Sequence, residues 1–200
     1  MASRPERTIA GMPDPAARLV AQLQLAHAGE LAAAHAYNGH WRSLPQGEDR
    51  ARIRKIEDEE WHHRRLVAQM LRDLGARPRA LREGVFWLIG RTLGPLCHVS
   101  GWFLPMYGAG RLERRNIVEY EDAALYARAS GHPELVDCLL TMAEVEWDHE
   151  QFFRSKVLGH PLRRLFPIWS APPPRARIRE RFDEDGRAVS REPVPEAVRG

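Results

Sequence analysis

The sequence predicts an all-α protein: a four-helix bundle with an apolar interhelical insertion and an irregular C-terminal tail. Three observations carry this. Four long segments repeat apolar residues at three- and four-residue steps, the period of one helix face. Short breaks containing Gly and Pro separate them. No stretch alternates in the manner of a half-buried strand. Long helices joined by short connections pack as a bundle.

The elements follow in order. An arm at residues 1–13 precedes the first helix. Asp14 is placed to cap that helix and Pro15 fits its first position. Its stripe is Leu19, Leu23, Ala26, Glu30, Ala33, Tyr37 and Trp41, and "PQG" at 45–47 ends it. The second helix, 48–74, turns Ile53, Ile56, Glu60, His63, Val67, Met70 and Leu74 inward; Gly75 and Pro78 close it. The third, 108–130, has Ala109, Glu113, Ile117, Tyr120, Ala124 and Ala127, continuing the line of Met106. The fourth, 133–158, has Leu135, Leu139, Met142, Glu146, His149, Phe153 and then Lys156 or Val157.

Between the second and third helices, residues 84–110 form the most apolar part of the chain. Arg91, Pro95, Pro105 and several glycines interrupt it, so it is not expected to span a membrane, which takes about 20 uninterrupted apolar residues. It can lie in a membrane interface, with Trp87, Trp102, Phe103 and Arg91 as anchors, or cap one end of the bundle. The expected domain runs from 14 to 160. The Pro- and Arg-rich residues 161–200 are expected to be mostly disordered or draped on the surface.

Composition excludes some functions. A net charge of +3 demands no nucleic-acid partner. Cys97 and Cys138 form neither a Cys-x-x-Cys pair nor a disulfide framework. The N-terminus has no apolar core of signal-peptide length, and the expected location is the cytoplasm, with the inner face of the cytoplasmic membrane as a peripheral site.

The chemistry sits in a repeated motif. Glu60-Trp61-x-His63 and Glu146-Trp147-x-His149 place an oxygen and a nitrogen on one side of a helix. Both pairs occupy the apolar stripe. The alternative pair, Glu59 with His62, shares its face with Arg52 and Lys55 and reads as solvent-exposed. Glu30 and Glu113 also lie on apolar stripes. Tyr37 and Tyr120 each follow those lone glutamates after six intervening residues, and after 22 or 25 more intervening residues comes Glu-Trp-x-His. Each half is thus one helical hairpin of the same design.

Buried charges cost several kcal/mol each unless paired or bound to metal. Four carboxylates and two imidazoles can neutralise two divalent cations; a satisfied polar core is the alternative. Oxygen-rich ligation with one imidazole per metal suits iron(II) or manganese(II). Tyr37 and Tyr120 read either as groups bonded to the ligands or as core aromatics. Trp61 and Trp147 are expected to pack, and His27 to be structural or exposed.

This constellation resembles the ferritin-like di-iron carboxylate superfamily. Within it the chain is most similar to the demethoxyubiquinone hydroxylase family of ubiquinone biosynthesis. The matching residues are Glu30 with Tyr37, Glu60 with His63, Glu113 with Tyr120, and Glu146 with His149; "LGPLCHVSGWFLPMYGAGRLE" is similar to that family's interhelical insertion. The resemblance implies two iron ions, with manganese as the substitute, and a monooxygenase that hydroxylates a quinone-like lipid using O2 and an electron donor. It also implies peripheral membrane contact through 84–110. A second copy of the chain is a further candidate partner. A ferroxidase or peroxide-reducing protein with the same ligands, and a non-catalytic helical metal-binding scaffold, are the competing functions.

Overall fold

The computed structural model of the chain describes residues 14–189. The arm expected at 1–13 and the end of the tail lie outside the described residues. The bundle consists of α1 (Pro15–Ser43), α2 (Glu48–Asp73), α4 (Phe103–Ala129) and α5 (Val136–Leu158). Between α2 and α4 comes α3 (Ala80–Leu96), and α6 (Arg177–Val189) follows the bundle. No strand occurs among the described residues.

The start of α1 follows from its sequence. The Asp14 carboxylate accepts a hydrogen bond from the backbone N–H of Ala17 at 2.9 Å, and Pro15 takes the first helical position. α1 pairs with α2, α4 with α5, and α1 also lies against α4, so the two hairpins share one interior. A polar layer divides that interior. Leu19, Leu23, Val67, Met70, Leu139 and Met142 pack on one side of it. Ala33, Ile53, Ile56, Met106, Phe153 and Val157 pack on the other. At the end of α5 the inward residue is Val157; Lys156 points outward and pairs with Asp49.

Two regions depart from expectation. The apolar insertion is more helical than its prolines and glycines suggest. Pro95 falls in the last turn of α3 and Pro105 in the first turn of α4, where a proline costs little because its missing N–H is not needed or its helix is ending. α3 lies along α1 at glycines: a Cβ on Gly39 would stand 2.2 Å from the Gly94 carbonyl oxygen, and one on Gly90 2.5 Å from that of Ala32. No helix is long and apolar enough to cross a membrane among the described residues. Phe103, expected as an interfacial anchor, is instead 3% exposed and packs on Tyr107 and Phe166.

The described part of the tail is neither irregular throughout nor loosely draped. Residues 165–182 form a strap across the outer side of α4 and α5. The Trp169 ring lies against Gly110, where a Cβ would come within 2.5 Å of it. Its indole N–H donates to Glu150 Oε1 at 2.7 Å, and Arg154 donates to its carbonyl at 2.8 Å. Tyr107 and Trp147 donate to the carbonyls of Pro167 and Pro173. In α6, Ile178 is buried and Arg179 bonds Glu144 and Asp137. Prolines and arginines thus conceal an irregularly spaced apolar set, Phe166, Trp169, Ile178 and Phe182, that packs on the bundle.

Candidate metal centre

The polar layer is built by four helices contributing to one place. Glu30 comes from α1, Glu60 and His63 from α2, Glu113 from α4, and Glu146 and His149 from α5. None of the six is more than 3% exposed. They form two overlapping groups, Glu30–Glu60–His63–Glu146 and Glu60–Glu113–Glu146–His149, with ligand atoms in each group within 4.8 Å of one another. Glu60 and Glu146 belong to both groups, the arrangement of carboxylates that could bridge two cations.

The hydrogen bonds within the layer are incomplete. Both oxygens of Glu60, one each of Glu30 and Glu146, and Nδ1 of His149 are buried without a hydrogen-bond partner. Such atoms cost free energy unless something else satisfies them. Electrostatics give the same result. Burial pushes Glu60 and Glu113 well above the usual carboxylate range, and neighbouring carboxylates add to the shift. Glu30 is raised by burial as well. Glu146 goes the other way: burial opposes its charge, but the adjoining imidazoles of His149 and His63 outweigh it. Burial likewise opposes a charge on His149, yet the neighbouring carboxylates of Glu146 and Glu59 push it up to about 9. The layer in itself holds protons that divalent cations would replace, and its donor set fits such cations.

The tyrosines join the halves reciprocally. Tyr37 of α1 donates to Glu113 of α4, and Tyr120 of α4 donates to Glu30 of α1. Each hairpin's phenol therefore orients the other hairpin's lone carboxylate. Asn116 donates to the second oxygen of Glu113 at 2.9 Å.

Glu59 is a residue the sequence reading set aside. Its carboxylate accepts from Nε2 of His149 at 2.8 Å and meets Lys55 and Arg52 on its outer side at 3.2 and 3.3 Å. The hydrogen bond fixes the ring so that Nδ1 faces Glu60 and Glu146 at 3.3 and 3.4 Å. Its face is a solvent face along α2, but α5 covers half of it. His27 is structural: it is buried and bonds Glu83 of α3 at 2.8 Å. His40, in the last turn of α1, is 2% exposed, lies against both Tyr37 and Phe153 and is held neutral by burial, which lowers it to about 4. Trp61 packs edge-on against His35, and Trp147 is held by the strap.

The family model described as ubiquinone biosynthesis protein COQ7 matches residues 17–114. Those residues belong to the COQ7 family. The matched span is about half of the chain; it begins in α1 and ends one residue after Glu113. It therefore carries four of the six clustered side chains, Glu30, Glu60, His63 and Glu113. Glu146 and His149 lie beyond it, and it is the fold of α5 that brings them to the COQ7-like half. Comparison with curated proteins and with solved structures finds no match.

Proposed function

We propose that this chain is an O2-dependent hydroxylase of a quinone or related lipid-like aromatic, with two iron ions held by Glu30, Glu60, His63, Glu113, Glu146 and His149. The observation that carries the reading is the pair of overlapping buried ligand groups whose facing atoms lack protein partners. Four carboxylates balance two dications, and the mixed oxygen and imidazole set suits iron, with manganese as the substitute. Iron bound there supplies the activation of O2 and the oxidation of a C–H bond, chemistry no side chain provides.

The chain's own residues do the rest. Tyr37 and Tyr120 orient Glu113 and Glu30. Glu59 holds His149 by its outer nitrogen. Apolar layers above and below keep bulk water from the cluster. One oxygen of O2 enters the product and the other leaves as water, so each turnover takes two electrons from an external donor and two protons.

The membership of residues 17–114 in the COQ7 family supports a quinone substrate. The apolar outer side of α3 and the turn after it support a lipid-like one: Leu81 and Leu88 on the helix and Val99 in the turn are 84%, 60% and 79% exposed. A soluble ferroxidase has no use for such a face. We read it as the surface that meets a membrane, with Trp87 and its stacked Arg91 at the edge.

Metal content tests the centre. Loaded anaerobically with Fe(II), the wild-type protein is expected to hold two irons per chain, and Glu146→Ala to hold about one or none, because Glu146 belongs to both groups. A folded wild type that binds one iron or none refutes the reading. A short-chain benzoquinone hydroxylated in the presence of a reductant completes the test.

A further inference from the structure

A cavity of about 110 Å³ opens in the cleft between α1 and α4 and runs inward to the polar layer. Its inner end is formed by Glu30 and Tyr120 of the cluster. Its apolar sides are Leu25 and Gly29 of α1, Phe86 of α3 and Leu112 of α4; Asn116, which bonds Glu113, and the Arg115–Glu119 ion pair form its polar edge. The space beside position 29 is open: a Cβ built there meets nothing within 4 Å. Gly29 is therefore next to a ligand and faces open volume. Phe86 forms the opposite wall, one turn before the glycine that seats α3 on α1.

The size is informative. An apolar cavity of about 150 Å³ holds a benzene molecule. The cleft matches one flat ring lying in part outside it, not a ring together with a lipid tail. The tail then has a place to go, because Leu112 at the mouth and Ile89 on α3 are 42% and 43% exposed and continue the apolar outer side of α3.

We propose that the aromatic ring of the substrate reaches the centre through this α1–α4 cleft, with Gly29 and Phe86 setting the width of ring it admits. The proposal rests on the hydroxylase reading for the identity of the ring, and it adds the route and the residues that select. Phe86 supplies a face or an edge for the ring to pack on, and Gly29 lets the ring approach α1.

Binding of a short-chain benzoquinone to the iron-loaded, anaerobic protein, measured by calorimetry, is the test. Gly29→Leu fills the cleft while favouring helix over glycine. It is expected to weaken binding by about tenfold or more, with Gly29→Ala changing it by about threefold or less. Both are expected to keep wild-type iron content and helicity. Phe86→Ala is expected to admit a two-ring naphthoquinone that the wild type binds poorly. Wild-type quinone binding in Gly29→Leu overturns the cleft and leaves the hydroxylase reading intact. A wild type that holds two irons yet binds no quinone overturns both. Should Gly29→Leu lose iron, Phe86→Trp narrows the cleft from the other wall, and unchanged binding there overturns the proposal.

Discussion

The two hairpins carry the same ligand pattern but are covered in opposite ways. On the first, α3 approaches α1 with its smallest residues: Gly90 and Gly94 meet Ala32 and Gly39 backbone to backbone. Its large residues are left outside, Leu81 and Leu88 among them. On the second, the strap turns Trp169 and Ile178 inward. Trp169 seats on Gly110, Ile178 is 4% exposed, and the strap's backbone carbonyls accept from Tyr107, Trp147 and Arg154. A segment that packs its aromatics on the bundle stabilises the surface it covers. A segment that packs by glycines and exposes its leucines leaves an apolar surface for something else. The second hairpin is held under its strap, and the first presents an apolar face.

The largest expected effect loosens the strap. Trp169→Ala removes the ring from Gly110 and takes the indole donor from Glu150, whose side chain is fully buried. The loss is expected to be about 2–3 kcal/mol in urea unfolding, below the roughly 3–5 kcal/mol of a fully buried aromatic because the Trp169 ring is only partly buried. A loss under about 1 kcal/mol would mean that the strap only rests on the bundle.

A smaller effect is expected where the halves brace each other unequally. His149 of the second hairpin is held from behind by Glu59 of the first at 2.8 Å. The position equivalent to Glu59 in the second hairpin is Val145, which has no carboxylate to offer His63. Glu59→Gln keeps the shape and weakens the acceptor, and is expected to lower iron affinity about tenfold in chelator competition. Burial opposes the charge on Glu59, but the hydrogen bond from His149 prevails and holds it at about 2, below its ordinary value of 4.5. A depressed carboxylate contributes stability that is complete above about 4.5 and is lost as pH falls toward 2. The wild type should show that acid-dependent loss in the metal-free protein, and the glutamine variant should lack it. Equal acid profiles would make Glu59 a bystander.

Much of this was legible in the sequence because burial imposes a period. Charged residues at core positions of an apolar stripe are conspicuous, and Glu30, Glu60, Glu113 and Glu146 all occupy such positions. The repeat of Glu, Tyr and Glu-Trp-x-His showed that the site had two halves. It could not show that each tyrosine serves the opposite hairpin, because helix packing decides that and not spacing. Glu59 was missed because a helix face says nothing about which neighbour covers it. The strap was missed because its apolar residues are spaced irregularly among prolines and arginines, and only the notch at Gly110 gives Trp169 a place. The helicity of α3 was hidden by prolines that fall at helix ends.

The smallest effect on stability tests the open face. Leu81 and Leu88 lie two turns apart on the outer side of α3, with Val85 between them, and they touch little of the protein. Changing both to Glu is expected to move unfolding free energy by no more than about 0.5 kcal/mol each, as surface substitutions do. If the face meets lipid, the same double variant loses two leucines' worth of burial, about 1.5–3 kcal/mol apiece at most, and gains charge that must be kept out of the acyl region. Flotation with anionic vesicles should therefore capture the wild type and lose the variant, while Trp169→Ala floats as the wild type does. That contrast separates the two coverings: one variant costs stability without touching membrane affinity, and the other costs membrane affinity at nearly constant stability. A double variant that floats like the wild type would show that the exposed leucines of α3 do not face lipid.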